Sequence, residues 1–265
     1  MAKALVFIII LFQGAYICAQ EELVISNNQL PGNDTVWVYT PSGYNVSQKY
    51  PAVYMLHGIN GNYSSWGRLV NLQHYADKYG FIIVCPDGFK DSFYFNSPRI
   101  KNSQYELFFV NSLYTTILDR YAIDSSKVFI TGLSMGGAGA MYLFLRNPQL
   151  FLSAASTSGV LDLSCSNSKS SLKRLLGDDY TEGIKYSKFS AISYLENISN
   201  TGKQILFDCG TEDHLYECNN MFRKRCDVLK LKATYISQPG AHCSSYWAKS
   251  IRYHFDFFNS LISQP

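Results

Sequence analysis

An alternation constrains this chain more than any other feature. Short runs rich in β-branched and aromatic residues recur: Ala52-Val53-Tyr54-Met55-Leu56, Phe81-Ile82-Ile83-Val84, Val128-Phe129-Ile130, Leu152-Ser153-Ala154-Ala155, Gln204-Ile205-Leu206-Phe207 and Ala233-Thr234-Tyr235-Ile236. These read as strands, and Thr35-Val36-Trp37-Val38-Tyr39 reads as one more before them. From about Ala52 onward, longer stretches of helical character separate them, over 66–79, 104–121, 135–146, 219–229 and 245–262. Alternating strands and helices predict an α/β fold, with a mostly parallel central sheet covered by helices on both faces.

The first 19 residues stand apart from that pattern. One lysine, Lys3, precedes an apolar core from Ala4 to Phe12, followed by Gly14, Ala15 and Ala19, the layout of a secretory signal cut after Ala19. The apolar run falls short of the about 20 residues that a transmembrane helix needs. A lipoprotein cut before Cys18 is disfavoured by bulky Ile17, where a small residue is expected. The expectation is an exported protein, periplasmic or secreted, in which residues 20–265 form one domain of roughly 245 residues around one large core.

Removing Lys3 from 23 basic residues, against 20 acidic ones, leaves a nearly neutral chain without the basic footprint of a nucleic-acid binder. The short run Arg223-Lys224-Arg225 reads as a solvated helix face. No C-x-x-C or H-E-x-x-H spacing occurs, so neither a metal site nor a cofactor is expected. Cys85, Cys165, Cys209, Cys218, Cys226 and Cys243 remain after Cys18 is removed, and six cysteines allow 15 pairings. Cys85 and Cys209 sit in apolar runs and are as consistent with buried thiols as with disulfides. Cys218 and Cys226, on one predicted helix, lie about 12 Å apart, beyond disulfide reach. Sequons occur at Asn33, Asn45, Asn62 and Asn197.

Ser103 followed by Glu106 forms an S-x-x-E capping box, which predicts a helix start there and a structural role for Glu106. Asn147-Pro148 ends the helix that follows Ser134. Asp178-Asp179 are expected in a turn with Gly177. Two stretches resist the alternation, 87–98 and 161–200, and are expected as loops or small excursions over a site at the carboxyl ends of the strands.

The chemistry concentrates around Thr131-Gly132-Leu133-Ser134-Met135-Gly136-Gly137. Gly132-x-Ser134-x-Gly136 matches G-x-S-x-G, placed between a predicted strand and a predicted helix, as a nucleophile elbow requires. Side chains two residues either side of the serine would collide in so sharp a turn. The turn lifts the hydroxyl clear of the sheet and sets main-chain N–H groups at a helix start, where negative charge is stabilised.

A serine hydroxyl needs a base to take its proton and a carboxylate to orient that base. His57 and His74 precede the serine, His254 lies in an aromatic helical run, and His214 points out of the turn that holds the acid candidates. His242, in a loop directly after the strand ending at Ile236, is therefore the expected base. Asp208, Glu212, Asp213 and Glu217 cluster after the strand 204–207. Asp213, on a turn just past that strand, is the expected acid, with Glu212 its nearest rival. Leu56-His57-Gly58-Ile59-Asn60-Gly61 places glycines after a strand end, so the N–H groups of Ile59 and Met135 are the expected oxyanion donors. His57 there braces the loop. Trp66 is a candidate pocket wall, although an aromatic at a helix start is as often core.

Together, L-H-G-x-x-G followed by Trp66, Pro86-Asp87-Gly88, the segment Asn102 to Glu106, G-L-S-M-G-G, C-G-T-E-D, and P-G-x-H followed by Tyr246-Trp247 resemble the putative esterase family. That family includes esterase D, the feruloyl and acetylxylan esterases of carbohydrate esterase family one, and mycolyltransferases. The resemblance covers the chain from about Asp34 to Phe258. It implies a single-domain α/β-hydrolase fold with Ser134, Asp213 and His242 as nucleophile, acid and base. Cys243-Ser244-Ser245 departs from the pattern, since relatives often carry a further aromatic there. The expected activity is an exported serine carboxylesterase acting on acetyl or feruloyl groups of polysaccharide-derived esters. Its rivals are an acyltransferase using the same acyl-enzyme with a sugar acceptor and a silent carbohydrate-binding relative.

Overall fold

A computed structural model describes residues 20–177 and 186–263. The expected signal segment with Cys18, and Asp178-Asp179, lie outside the described residues. One sheet of eight strands runs through the molecule in the order β1-β2-β4-β3-β5-β6-β7-β8, from Gln20–Ile25 (β1), Asp34–Tyr39 (β2), Tyr50–Leu56 (β3), Ile82–Pro86 (β4), Ile123–Gly132 (β5), Ser153–Thr157 (β6), Gln204–Gly210 (β7) and Lys232–Gln238 (β8). β1 pairs antiparallel with β2, and β2 with β4; every other pairing is parallel.

The helices are α1 (Ser65–Leu69), α2 (Leu72–Tyr79), α3 (Tyr105–Phe108), α4 (Tyr114–Arg120), α5 (Met135–Arg146), α6 (Lys169–Leu176), α7 (Tyr216–Val228) and α8 (Ser244–Ile262). Central strands are buried on both faces, which is why their sequences run apolar without a break. In β3 the side chains nonetheless divide by the two-residue period. Ala52, Tyr54 and Leu56 join one core cluster with α5, while Val53 and Met55 join the other with Phe255 and Phe258 of α8.

The structure departs from the sequence expectation in several places, each for a non-local reason. β1 carries Gln20, Glu21 and Glu22, which hide it from composition, and it is held at the sheet edge by its ladder to β2. The helix expected over 66–79 is two helices, broken before Asn71, whose side-chain oxygen accepts the His74 N–H and restarts the turn. The segment 104–121 is α3 and α4 joined by a π-helical turn at Phe109–Leu113, so it bulges by one residue in mid-course.

The capping box is not formed. Gln104, not Ser103, stands at the N-cap, without a side-chain cap bond. Glu106 is instead buried and accepts from Arg146 Nε at 2.7 Å and Asn147 Nδ2 at 3.2 Å, tying α3 to the end of α5. Its role is structural, as expected, through a different set of partners.

The two irregular stretches also differ from expectation. Residues 87–98 are not a cover over the site: Phe93, Tyr94 and Phe95 are buried in the core. The other stretch contributes α6 and short 3-10 turns at Tyr186–Phe189 and Ala191–Ile198, whose Leu172, Leu175, Ala191 and Leu195 pack into the α5-side core. All six cysteines of the described residues are free thiols. No helix among the described residues is long and apolar enough to cross a membrane.

Candidate active site

Every segment of the site leaves the carboxyl end of a parallel strand: 57–61 follows β3, Ser134 follows β5, Asp213 follows β7 and His242 follows β8. Between β5 and α5 the chain reverses so abruptly that Ser134 takes φ 54° and ψ −117°, a conformation costly for a residue with a side chain. A Cβ on Gly132 would lie 2.3 Å from the carbonyl of Gly136, and one on Gly136 would lie 2.2 Å from the carbonyl oxygen of Leu56. Both contacts are with main chain, which cannot swing aside. The strained serine is strapped down by Ser134 N–H to Thr157 O at 3.0 Å and Leu133 N–H to Leu56 O at 3.2 Å.

His242 Nε2 lies 2.9 Å from Ser134 Oγ. Its Nδ1 lies 2.9 Å from Asp213 Oδ2 and 3.1 Å from Oδ1. The Asp213 side chain is fully buried, and Oδ1 also accepts the Leu215 N–H at 2.9 Å. Burial pushes this carboxyl up, but the bonds from His242 and Leu215 outweigh it and hold it below the usual carboxylate range. Glu212 is exposed and takes no part. The imidazole of His242 is 22% exposed, enough to meet a ligand from the cleft.

His214 is also exposed, yet it does not point clear of the site. Its Nδ1 is 3.5 Å from Asp213 Oδ1, and its ring centroid is 4.6 Å from that of His242. Asp213, His214 and His242 thus bring ligand atoms within 4.8 Å of one another, but Asp213 and His242 already engage each other in the hydrogen-bonded row.

Of the expected oxyanion residues, Ile59 lines the cleft and Met135 is the first residue of α5, where an N–H has no intrahelical acceptor. Neither N–H has a protein acceptor among the described residues. His57 braces the loop between them. Gly88 N–H donates to its Nε2 at 2.7 Å, which leaves the proton on Nδ1 to be donated to Gly58 O at 2.7 Å. Beneath it, the Tyr94 hydroxyl donates to His57 O at 2.9 Å, and Asn60 N–H reaches Lys90 O at 2.8 Å. The irregular stretch 87–98 is therefore the underside of this loop.

Trp66 is not a pocket wall. It is 1% exposed and donates Nε1–H to Leu56 O at 3.0 Å, a core tryptophan that anchors the end of β3. The tryptophan in the cleft is Trp247, set edge-on to the His242 ring at 5.0 Å. Its place in the first turn of α8, five residues beyond the imidazole, was the available signal. With Ile59, Leu69 and Leu133 it gives the cleft, of about 550 Å³, an apolar wall. His254 is buried as a packed histidine, facing Asp208 and Thr131 below the site.

A family model described as putative esterase matches residues 27–260. An S-formylglutathione hydrolase of Arabidopsis thaliana is 25% identical over 237 residues, covering 80% of this chain and 82% of its own. Among solved structures, a ferulic acid esterase superposes with a TM-score of 0.78 at 22% identity, over 91% of this chain and 98% of that one. FphF, a fluorophosphonate-binding serine hydrolase of Staphylococcus aureus, superposes with a TM-score of 0.79 at 20% identity, over the same shares.

Proposed function

The chain belongs to the putative esterase family and is a serine carboxylic ester hydrolase, and from that premise we propose that Ser134, His242 and Asp213 are its catalytic triad. The observation that carries this reading is the unbroken row from Ser134 Oγ through both imidazole nitrogens to a buried carboxylate, with steps of 2.9 Å. Ser134 Oγ attacks the ester carbonyl while His242 Nε2 takes its proton. The carbonyl oxygen, now negative, is held by the N–H groups of Ile59 and Met135. His242 returns the proton to the leaving alcohol, and Asp213 stabilises the imidazolium throughout. Water, activated by the same imidazole, then releases the acid and restores the serine.

The substrate we propose is an acetyl or feruloyl ester of a polysaccharide-derived alcohol, met by an exported enzyme. Support comes from the secretory layout of the first 19 residues and from a cleft whose apolar wall of Ile59, Leu69, Leu133 and Trp247 accepts a short or aromatic acyl group. The curated relative of Arabidopsis thaliana is named for a formyl thioester instead. Turnover of acetylated xylan, methyl ferulate and S-formylglutathione, compared side by side, separates the two. Activity on the thioester alone overturns the proposed substrate. A fluorophosphonate probe is expected to label Ser134, and protein that is folded but unlabelled overturns the triad.

A further inference from the structure

Besides His242, the side chains lining the cleft include one that can carry charge, that of Arg68. Its guanidinium is held by neutral oxygens only. Nη1 donates to Asn62 Oδ1 at 3.4 Å and to Ser64 Oγ, and Nη2 donates to Ser65 Oγ at 3.0 Å. Among the described residues no carboxylate lies within ion-pair distance of it, whereas Arg120, Arg146, Arg174, Arg223 and Arg225 each face one. The catalytic carboxylate does not answer this charge, because Asp213 is fully buried and already committed to His242. A guanidinium has five N–H donors in a rigid fork, and the three neutral contacts leave donors over while fixing its orientation.

We propose that Arg68 binds an anionic group of the substrate, so that the preferred esters carry a carboxylate on one arm. The inference rests on the hydrolase reading and narrows its substrate class. A carboxylate entering a cleft with an apolar wall meets a fork already oriented by three neutral oxygens, so a charge-assisted bond to it needs little further ordering of the side chain. Acidic saccharide units and hydroxy-acid esters fit this description; neutral alkyl esters use only the apolar wall.

Two matched pairs test it by pH-stat with the purified full chain. Monoethyl succinate against ethyl butyrate puts the charge on the acyl arm; acetoxyacetate against propyl acetate puts it on the alcohol arm. In at least one pair the charged ester is expected to have the higher kcat/KM, chiefly through a lower KM, and the advantage is expected to shrink as salt screens the charge. Arg68→Gln is expected to reduce the charged-to-neutral ratio of kcat/KM by about 10- to 100-fold, and Arg68→Lys to recover part of it. A loosened Asn62–Ser65 turn would depress both members of a pair together and leave the ratio where it was. Should wild-type protein show no preference for the charged member of either pair, or should the preference survive in Arg68→Gln, the inference is overturned while the hydrolase reading stands. Inertness towards all four esters overturns this inference; the hydrolase reading falls with it only where S-formylglutathione is not turned over and the fluorophosphonate leaves Ser134 unlabelled.

Discussion

His254 Nε2 lies 2.7 Å from Asp208 Oδ2, and both side chains are completely buried. The remaining atoms are equally committed: His254 Nδ1 faces Thr131 Oγ1 at 2.6 Å, and Asp208 Oδ1 accepts from Thr157 Oγ1 at 2.8 Å. This second row of hydroxyl, imidazole and carboxylate lies below the site and locks α8 onto β5, β6 and β7. Removing one partner would strand the other without water. His254→Ala is expected to destabilise the fold by about 3–5 kcal/mol, read by denaturant unfolding. An unfolding midpoint equal to wild type would show that the pair contributes nothing.

The two acidic neighbours at the end of β7 have different environments and should differ in effect. With Asp213 orienting His242 as proposed, Asp213→Asn is expected to lower kcat by about 10⁴, since the amide favours the wrong imidazole tautomer. Glu212 is exposed and outside the row, so Glu212→Gln should match wild type in an ester assay. Equal losses in both would contradict the assignment.

Tyr94 supports the 57–61 loop, the proposed oxyanion loop, from below and is itself packed against Gly139 of α5. A Cβ at Gly139 would lie 2.3 Å from Tyr94 Cδ2, and the ring has no room to retreat because it is fully buried. Gly139→Ala is therefore expected to cost about 1–3 kcal/mol and to slow acylation of Ser134 by displacing His57. A thermal melt and the rate of fluorophosphonate labelling check the two parts separately.

Asp34 is buried with Oδ2 unpartnered, and burial first, then the charge of Asp87, pushes its carboxyl well above the ordinary range. A carboxyl held protonated in the fold but ionised in the unfolded chain weakens folding as pH rises. The loss starts at the unfolded value of about 3.9 and continues up to the raised folded value. Asp34→Asn keeps an acceptor for the Asp87 N–H, bonded at 3.2 Å, and carries no such penalty. It is expected to be more stable than wild type at neutral pH, with the gap closing towards pH 4, as measured by melts across that range.

Cys243 directly follows His242, the proposed base. Its thiol is held below the ordinary range, first by Ser245, whose Oγ is 3.2 Å from Sγ, and then by main-chain N–H of Tyr246. Burial pushes the thiols of Cys85, Cys209 and Cys226 the other way. Iodoacetamide is expected to modify Cys243 ahead of those three and to abolish activity by crowding His242; Cys243→Ser should resist. Peptide mapping alongside the activity assay tests both statements.

Local chemistry accounts for what could be read from the linear chain. Strands β3 to β7 were legible because buried parallel strands demand apolar runs, β2 and β8 because β-branched and aromatic residues recur in them, and the course of α5 because the glycines around Ser134 have one use in a strand-to-helix turn. The positions of Ser134, Asp213 and His242 just past their strands were readable for the same reason. Where packing partners come from elsewhere, reading failed. Glu106 looks like a cap but answers Arg146, Trp66 looks like a pocket wall but anchors β3, and the polar aromatic stretch 87–98 looks like a cover but is a foundation.

The sequence alone determined which strand ends carry a hydroxyl, a carboxylate and an imidazole, since turn geometry and hydrophobic periodicity act over a few residues. Only the tertiary structure decided that Ser134 and His242, separated by 108 residues, stand 2.9 Å apart, and that Arg68 lines the same cleft with no acidic partner among the described residues. Those distances are set by the lateral order of strands in the sheet and by the packing beneath the loops, which no short stretch of chain encodes.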